Sequence, residues 1–125
     1  QSCTARGRSN TPLQALQLMN DIQHVEAARN FASRMIKEGG KSAEARIGWA
    51  WRSVTARAPE SDELEIALGV YQQHRNRFDS DEKAATELIA YGESKADKNL
   101  AVSELAAYTL VANLILNLDE VVNKN

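Results

Sequence analysis

The chain carries one cysteine, Cys3. A lone thiol forms no internal disulfide, no Cys-x-x-Cys redox pair and no Cys-x-x-Cys-His haem attachment. Cys3 is read as inert or structural, since nothing near it supplies the depressed pKa that reactivity needs. Histidine is almost as scarce. His24 and His74 are the two present, neither has a second histidine at i+4, and His-Glu-x-x-His is missing, so no bound metal or other cofactor is expected. His74, between Gln73 and Arg75, reads as a surface or rim residue. Neither sign of charge is in excess: 15 Lys and Arg against 17 Asp and Glu leave a net charge of −2. That balance provides no footprint for nucleic acid and no polybasic membrane patch. No apolar run reaches the ~18 residues of a membrane span. Gly-x-Ser-x-Gly and the phosphate-cradling glycine loop are also missing, and no segment alternates apolar and polar residues long enough to suggest a strand.

What is present is helical. The last strong segment, Ser103 to Val122, places Leu105, Tyr108, Leu110, Val111, Leu114, Ile115, Leu116, Leu118, Val121 and Val122 around most of a helix circumference. A helix apolar nearly all round belongs in an interior. Ser103 is its expected N-cap, with Glu104 against the positive end of the dipole. The chain is therefore expected to form an all-α compact bundle of about six helices around a buried C-terminal helix.

Taken in order, residues 1–9 read as a flexible lead-in. Asn10-Thr11-Pro12 is a cap followed by proline at the first helical position, opening a short helix with Leu13, Leu16 and Met19. Asn20-Asp21 then leads into a helix over about 22–38, with Val25, Ala28, Phe31, Ala32 and Met35 as its apolar stripe. Gly39-Gly40 ends it through a left-handed cap. Ser42 caps a helix to about Arg57 with Ile47, Trp51 and Val54 on one face, stopped at Ala58-Pro59. Ser61 caps the next, whose core face is Leu64, Ala67, Leu68, Tyr71 and Phe78. The turn Asp79-Ser80-Asp81-Glu82 caps a shorter helix carrying Ala85, Leu88 and Ile89 and ending near Gly92. Its carboxylates lack the twelve-residue calcium-loop spacing, and capping accounts for them. Because the chain opens on Gln1 rather than Met, residues 10–125 are expected to be one helical domain, the C-terminal fragment of a larger protein.

Two sets of residues invite a functional reading. Trp49 lies two positions from Trp51 and points to nearly the opposite side of a helix. It is read as packing under a neighbour, the alternative being an exposed ring for interaction or sugar stacking. Thr109, Asn113 and Asn117 form a polar stripe at i, i+4, i+8 on the apolar helix. Buried amides must be paired, so the stripe is read as bonding to another segment, the alternative being a buried polar site. The polar start around Asn10 and Gln14 is the chosen partner, which docks the first helix on the last through Asn113 or Asn117. No acid–base pair can be picked out by spacing, so no catalytic residue is assigned and the fragment alone is not expected to be an enzyme.

Three segments together resemble a known family. They are Cys3-Thr4-Ala5-Arg6 with Asn10-Thr11-Pro12-Leu13-Gln14-Ala15-Leu16, Met19-Asn20-Asp21 and Val25-Glu26-Ala27-Ala28-Arg29; Ala56-Arg57-Ala58-Pro59 with Glu63-Leu64; and Gly92-Glu93-Ser94 with Glu104-Leu105-Ala106-Ala107 and Ala112-Asn113-Leu114-Ile115-Leu116-Asn117-Leu118-Asp119-Glu120. This is similar to the C-terminal domain of unknown function of large planctomycete proteins, which often also carry a planctomycete-type cytochrome c module. Ile22 stands where that family often has proline, and Tyr108 where tryptophan is common. The resemblance implies an exported protein, periplasmic or at the cell surface. It implies as partners the preceding domain of the same parent chain and, as a further expectation, its cytochrome c module. Three roles follow: a structural or interaction domain, a part of an enzyme acting on an exported polymer such as polysaccharide, or a docking surface for the cytochrome module.

Overall fold

The computed structural model describes residues 22–90 and 95–124. Five helices run through them: α1 (Ile22–Glu38), α2 (Ala43–Thr55), α3 (Ser61–Ser80), α4 (Glu82–Ile89) and α5 (Val102–Lys124). No strand occurs among the described residues, and the all-α expectation holds. The count is five rather than six; the lead-in over 1–9 and the expected helix after Pro12 lie outside the described residues.

Local chemistry accounts for each boundary. In α1 the stripe Val25, Ala28, Ala32 and Met35 is buried. The helix closes where the Gly39 N–H donates to the Met35 carbonyl at 2.9 Å, and Gly40 then takes a φ of 108°, a region that side-chain-bearing residues avoid. The Ser42 hydroxyl accepts from the Ala45 N–H at 3.1 Å and starts α2, as expected. Its end differs. α2 stops at Thr55 because Ala56 turns left-handed at φ 65° while its N–H still reaches the Arg52 carbonyl, so the helix is over before Pro59 acts.

Two expected caps are corrected. In α3 the first helical bond runs from the Leu64 N–H to the Glu60 carbonyl at 2.8 Å, so Glu60, not Ser61, is the cap. The Glu63 carboxylate accepts from the Glu60 N–H at 2.8 Å, and Arg57 grips the same carboxylate with two bonds of 2.9 Å. That bidentate clasp fixes the α2–α3 loop. In α5 the Leu105 N–H bonds to the Ala101 carbonyl at 2.9 Å, so the helix begins at Val102 and Ser103 sits within its first turn. The Ser103 hydroxyl is engaged by Asp79 of α3 instead. Asp81 behaves as expected, accepting from the Ala84 N–H at 3.1 Å to open α4. That helix ends at Ile89, short of Gly92, as the Ala90 N–H turns back to the Glu87 carbonyl.

α5 is the axis of the bundle. It packs most extensively on α1, then on α3, α4 and α2, and every residue from Leu105 to Ile115 is buried. An unbroken buried run of that length needs neighbours on all sides of the helix, as the apolar circumference predicts. Full burial of a side chain such as Leu105 or Ile115 contributes roughly 1.5–3 kcal/mol. From the surrounding helices Met35, Ile47, Trp51, Ala67, Tyr71, Phe78 and Ile89 complete the core.

Candidate functional site

Those of the residues singled out by sequence that are described are Trp49, Asn113 and Asn117, and each has a structural task. Asn10 and Gln14 lie outside the described residues, as does the segment expected to bond Asn113 or Asn117. Asn113 is buried and has a polar interaction of its own. The Asn117 amide donates to the Asn113 carbonyl at 2.8 Å, within its own helix. Thr109 does the same two turns earlier, its hydroxyl donating to the Leu105 carbonyl at 2.7 Å. Trp49 is half-buried and packs across the α1–α2 seam, its ring centroid 5.7 Å from that of Phe31. The Arg34 guanidinium lies over the indole at 5.3 Å, a geometry in which the cation meets the negative face of the ring. Arg34 also pairs with Glu38 at 3.1 Å.

The densest polar constellation is one that spacing did not reveal. Tyr108 of α5 and Tyr71 of α3 stack with centroids 4.3 Å apart. Arg46 of α2 reaches this pair from one side, its Nη1 3.0 Å from a Glu104 carboxylate oxygen and 3.5 Å from the Tyr108 hydroxyl. The Arg46 Nε donates to the Gly40 carbonyl at 2.9 Å. From the other side Arg75 donates to the Tyr71 hydroxyl at 2.9 Å and to Asp79 at 3.3 Å. Burial pushes the Tyr108 phenol up to about 12, against the opposing pull of Arg46. The Ser103 hydroxyl, and after it Arg75, holds the Asp79 carboxyl below its ordinary value. The chain of contacts therefore joins α2, α5 and α3 through charged and phenolic groups. Its arginines each face a carboxylate, and the Tyr108 phenol, pushed up by burial, is neutral at physiological pH. This is a cross-brace and lacks the paired acid and base that proton transfer requires.

Two further buried polar residues were missed. Arg29 is 1% exposed; its Nη1 donates to the Ile89 carbonyl at 2.9 Å and its Nη2 to Asn30 at 3.2 Å. A guanidinium at the end of α4 satisfies the last helical carbonyl and meets the negative end of the dipole. Its place was readable in principle, since Val25, Arg29 and Ala32 fall on one helix face. His74 corrects the rim reading. It is 6% exposed and inside the bundle, because Val70, His74 and Phe78 are successive turns of the buried face of α3. Among the described residues its Nδ1 has no hydrogen-bond partner, and neither has the indole N–H of the buried Trp51. Burial, and then the nearby Arg77 charge, hold the His74 imidazole below its ordinary pKa.

Residues 1–71 match the family described as PSD1, Protein of unknown function (DUF1553). The chain belongs to this family. The match takes in α1 and α2 and ends inside α3, so α4 and α5, with the cross-brace partners Glu104 and Tyr108, lie beyond it. No curated protein and no solved structure matches the chain. Among the described residues no three His, Cys, Asp or Glu side chains gather so as to hold a metal ion, and no helix is long and apolar enough to cross a membrane.

Proposed function

We propose that this DUF1553 domain is a structural and interaction module of a larger protein, packing against the domain that precedes it in the parent chain. The observation that carries the reading is the use to which its conspicuous polar groups are put. Arg29, Arg46, Arg75, Glu104, Asp79, Thr109 and Asn117 each bond to another helix, or to a side chain or carbonyl of their own helix. A catalytic constellation needs a nucleophile or base left within reach of a substrate; here such groups are committed to holding helices in place. The resemblance to exported, cytochrome-associated planctomycete proteins supports an exported parent, with the cytochrome c module as a further partner.

The test is to express the parent protein with and without this domain and to compare folding, redox activity and polymer binding. Loss of solubility or thermal stability in the truncated parent, with its chemistry retained in whatever fraction folds, is the expected result. Turnover of a polymer by the isolated domain, abolished by one substitution within it, would overturn the reading in favour of an enzyme.

A further inference from the structure

His74 is a titratable group in a place where only its neutral form is accommodated. It stands on the inward face of α3 between Val70 and Phe78, 6% exposed, with the Phe78 ring 6.2 Å away. Among the described residues its buried Nδ1 meets no hydrogen-bond donor or acceptor. Protonation makes both ring nitrogens donors, so the cation would carry an N–H at Nδ1 with nothing among the described residues to accept it.

Among the described residues the surroundings provide no compensating charge. α3 packs against α2, α4 and α5. The residues those helices bury are Ile47, Ala50 and Trp51 of α2, Ala85 and Ile89 of α4, and 105–115 of α5; none is acidic or basic. The titratable group in that set is Tyr108, a phenol that stays neutral far above the imidazole range. Glu44 and Arg52 of α2 and Glu82, Lys83 and Glu87 of α4 are exposed. Arg46 and Glu104, the half-buried charges of α2 and α5, are paired with each other at 3.0 Å. On α3 itself Arg75 and Asp79 are paired, which leaves Arg77 as the neighbouring charge, and it is of the wrong sign to welcome an imidazolium.

We propose that His74 is an acid-sensitive latch: while neutral it lets α3 seat on the rest of the bundle, and on protonation it unseats α3 and loosens the domain. An unpaired buried cation is far costlier than a buried neutral ring, so the proton is taken up chiefly where α3 has opened. Opening uncovers the apolar face of α3 and the side of α5 it covers, which turns a modest fall in pH into a change of exposed surface.

The sign follows from the direction of the shift. An unfolded imidazole binds its proton near its ordinary pKa of about 6.5, and the folded one only at lower pH. Stability is therefore full above about 6.5 and falls as pH drops below it. The melting temperature of the wild-type protein is to be measured from about pH 8 to about pH 5.5, beside H74L and H74Q, together with an NMR titration of the two histidines. The expected result is a fall in wild-type melting temperature below about pH 6.5 that both variants lack, and a His74 midpoint below 6.5. Protection of α3 amides should drop over the same interval in the wild type alone. Equal pH slopes in wild type and the variants, or a His74 midpoint at or above its ordinary value, would overturn the proposal. If H74L fails to fold, H74Q and the wild-type NMR titration decide it.

Discussion

Substituting alanine for glycine usually stabilises a helical protein, by about 0.4–1 kcal/mol, because it restricts the unfolded chain. Gly39 should reverse that sign. A Cβ built there falls 2.5 Å from the Met35 carbonyl oxygen and 3.0 Å from the Arg46 Cα. Both are backbone atoms, and neither can swing aside as a side chain does. Relief requires α1 to unwind its last turn or α2 to recede. If α2 recedes, Arg46 is drawn off Gly40 and Glu104, which it holds at 2.9 and 3.0 Å. Overpacking of this kind costs about 1–3 kcal/mol, and loss of the Arg46 bonds adds on the order of 1 kcal/mol. In a domain of this size each kcal/mol is worth roughly 3–5 °C of melting temperature, so G39A should melt roughly 6–20 °C below wild type. Gly69 is the internal control. It lies within α3, and a Cβ there meets nothing within 4 Å. G69A should therefore gain roughly 0.5–1 kcal/mol. Thermal unfolding followed by circular dichroism compares the two directly. If G39A is as stable as G69A, the close approach of α1 to α2 is wrong.

Two other substitutions are informative. Ala56 sits at φ 65°, and a left-handed residue with a Cβ is strained by about 1–2 kcal/mol; A56G should raise stability by up to about 1 kcal/mol once the extra freedom of the unfolded glycine is subtracted, and a lower denaturant midpoint would contradict this. Tyr108 should show itself at alkaline pH. The free phenol ionises near 10 and the folded one near 12, so stability is full below about 10 and is lost as pH rises towards 12, by on the order of 2 kcal/mol. Y108F should lack that portion of the alkaline loss, and identical alkaline profiles for the two proteins would count against a buried, neutral phenol.

How far this molecule could be read from its sequence depends on the range of the interaction concerned. Ser42, Asp81 and Gly40 act on backbone groups within three or four residues, and their roles were legible. So was α5, since ten apolar residues around one helix leave no face for solvent. Ala56 carried no sign of its left-handed turn, because alanine ordinarily favours continuing a helix. Ser103 looked like a cap because serine so often is one, but Asp79, far off in sequence, claims its hydroxyl. Arg29 and His74 sat on apolar faces at helical spacing, yet their polarity and the polar residues beside them disguised the periodicity. For the candidate site, the stripe was located correctly as a feature of α5, while the segment expected to bond Asn113 or Asn117 lies outside the described residues. That Asn117 and Thr109 bond back to their own helix is a matter of side-chain rotamer, which spacing does not specify. Trp49 was placed on the side of α2 away from Trp51, and the structure gives it Phe31 and Arg34 as neighbours.

The self-satisfied polar groups of α5 bear on how the bundle chooses one arrangement. A threonine or asparagine bonded to the carbonyl four residues back is content whichever way its helix is turned. Thr109 and Asn117 therefore remove a penalty from burying α5 without fixing its rotation. An apolar circumference does not fix it either, since leucine and valine pack acceptably against many surfaces. What depends on rotation and register are bonds between helices made by groups that burial would otherwise leave unpaired. Arg29 reaches Ile89 across 60 residues of sequence, and Arg46 reaches Glu104 across 58. Turning α5 by one residue would part Glu104 and Tyr108 from Arg46, and shifting α1 along its axis would leave a buried guanidinium without the Ile89 carbonyl. Both errors are costlier than a poorly filled apolar contact. The hydrophobic residues thus drive this domain together, while a few long-range arginine bonds select the register in which it stays.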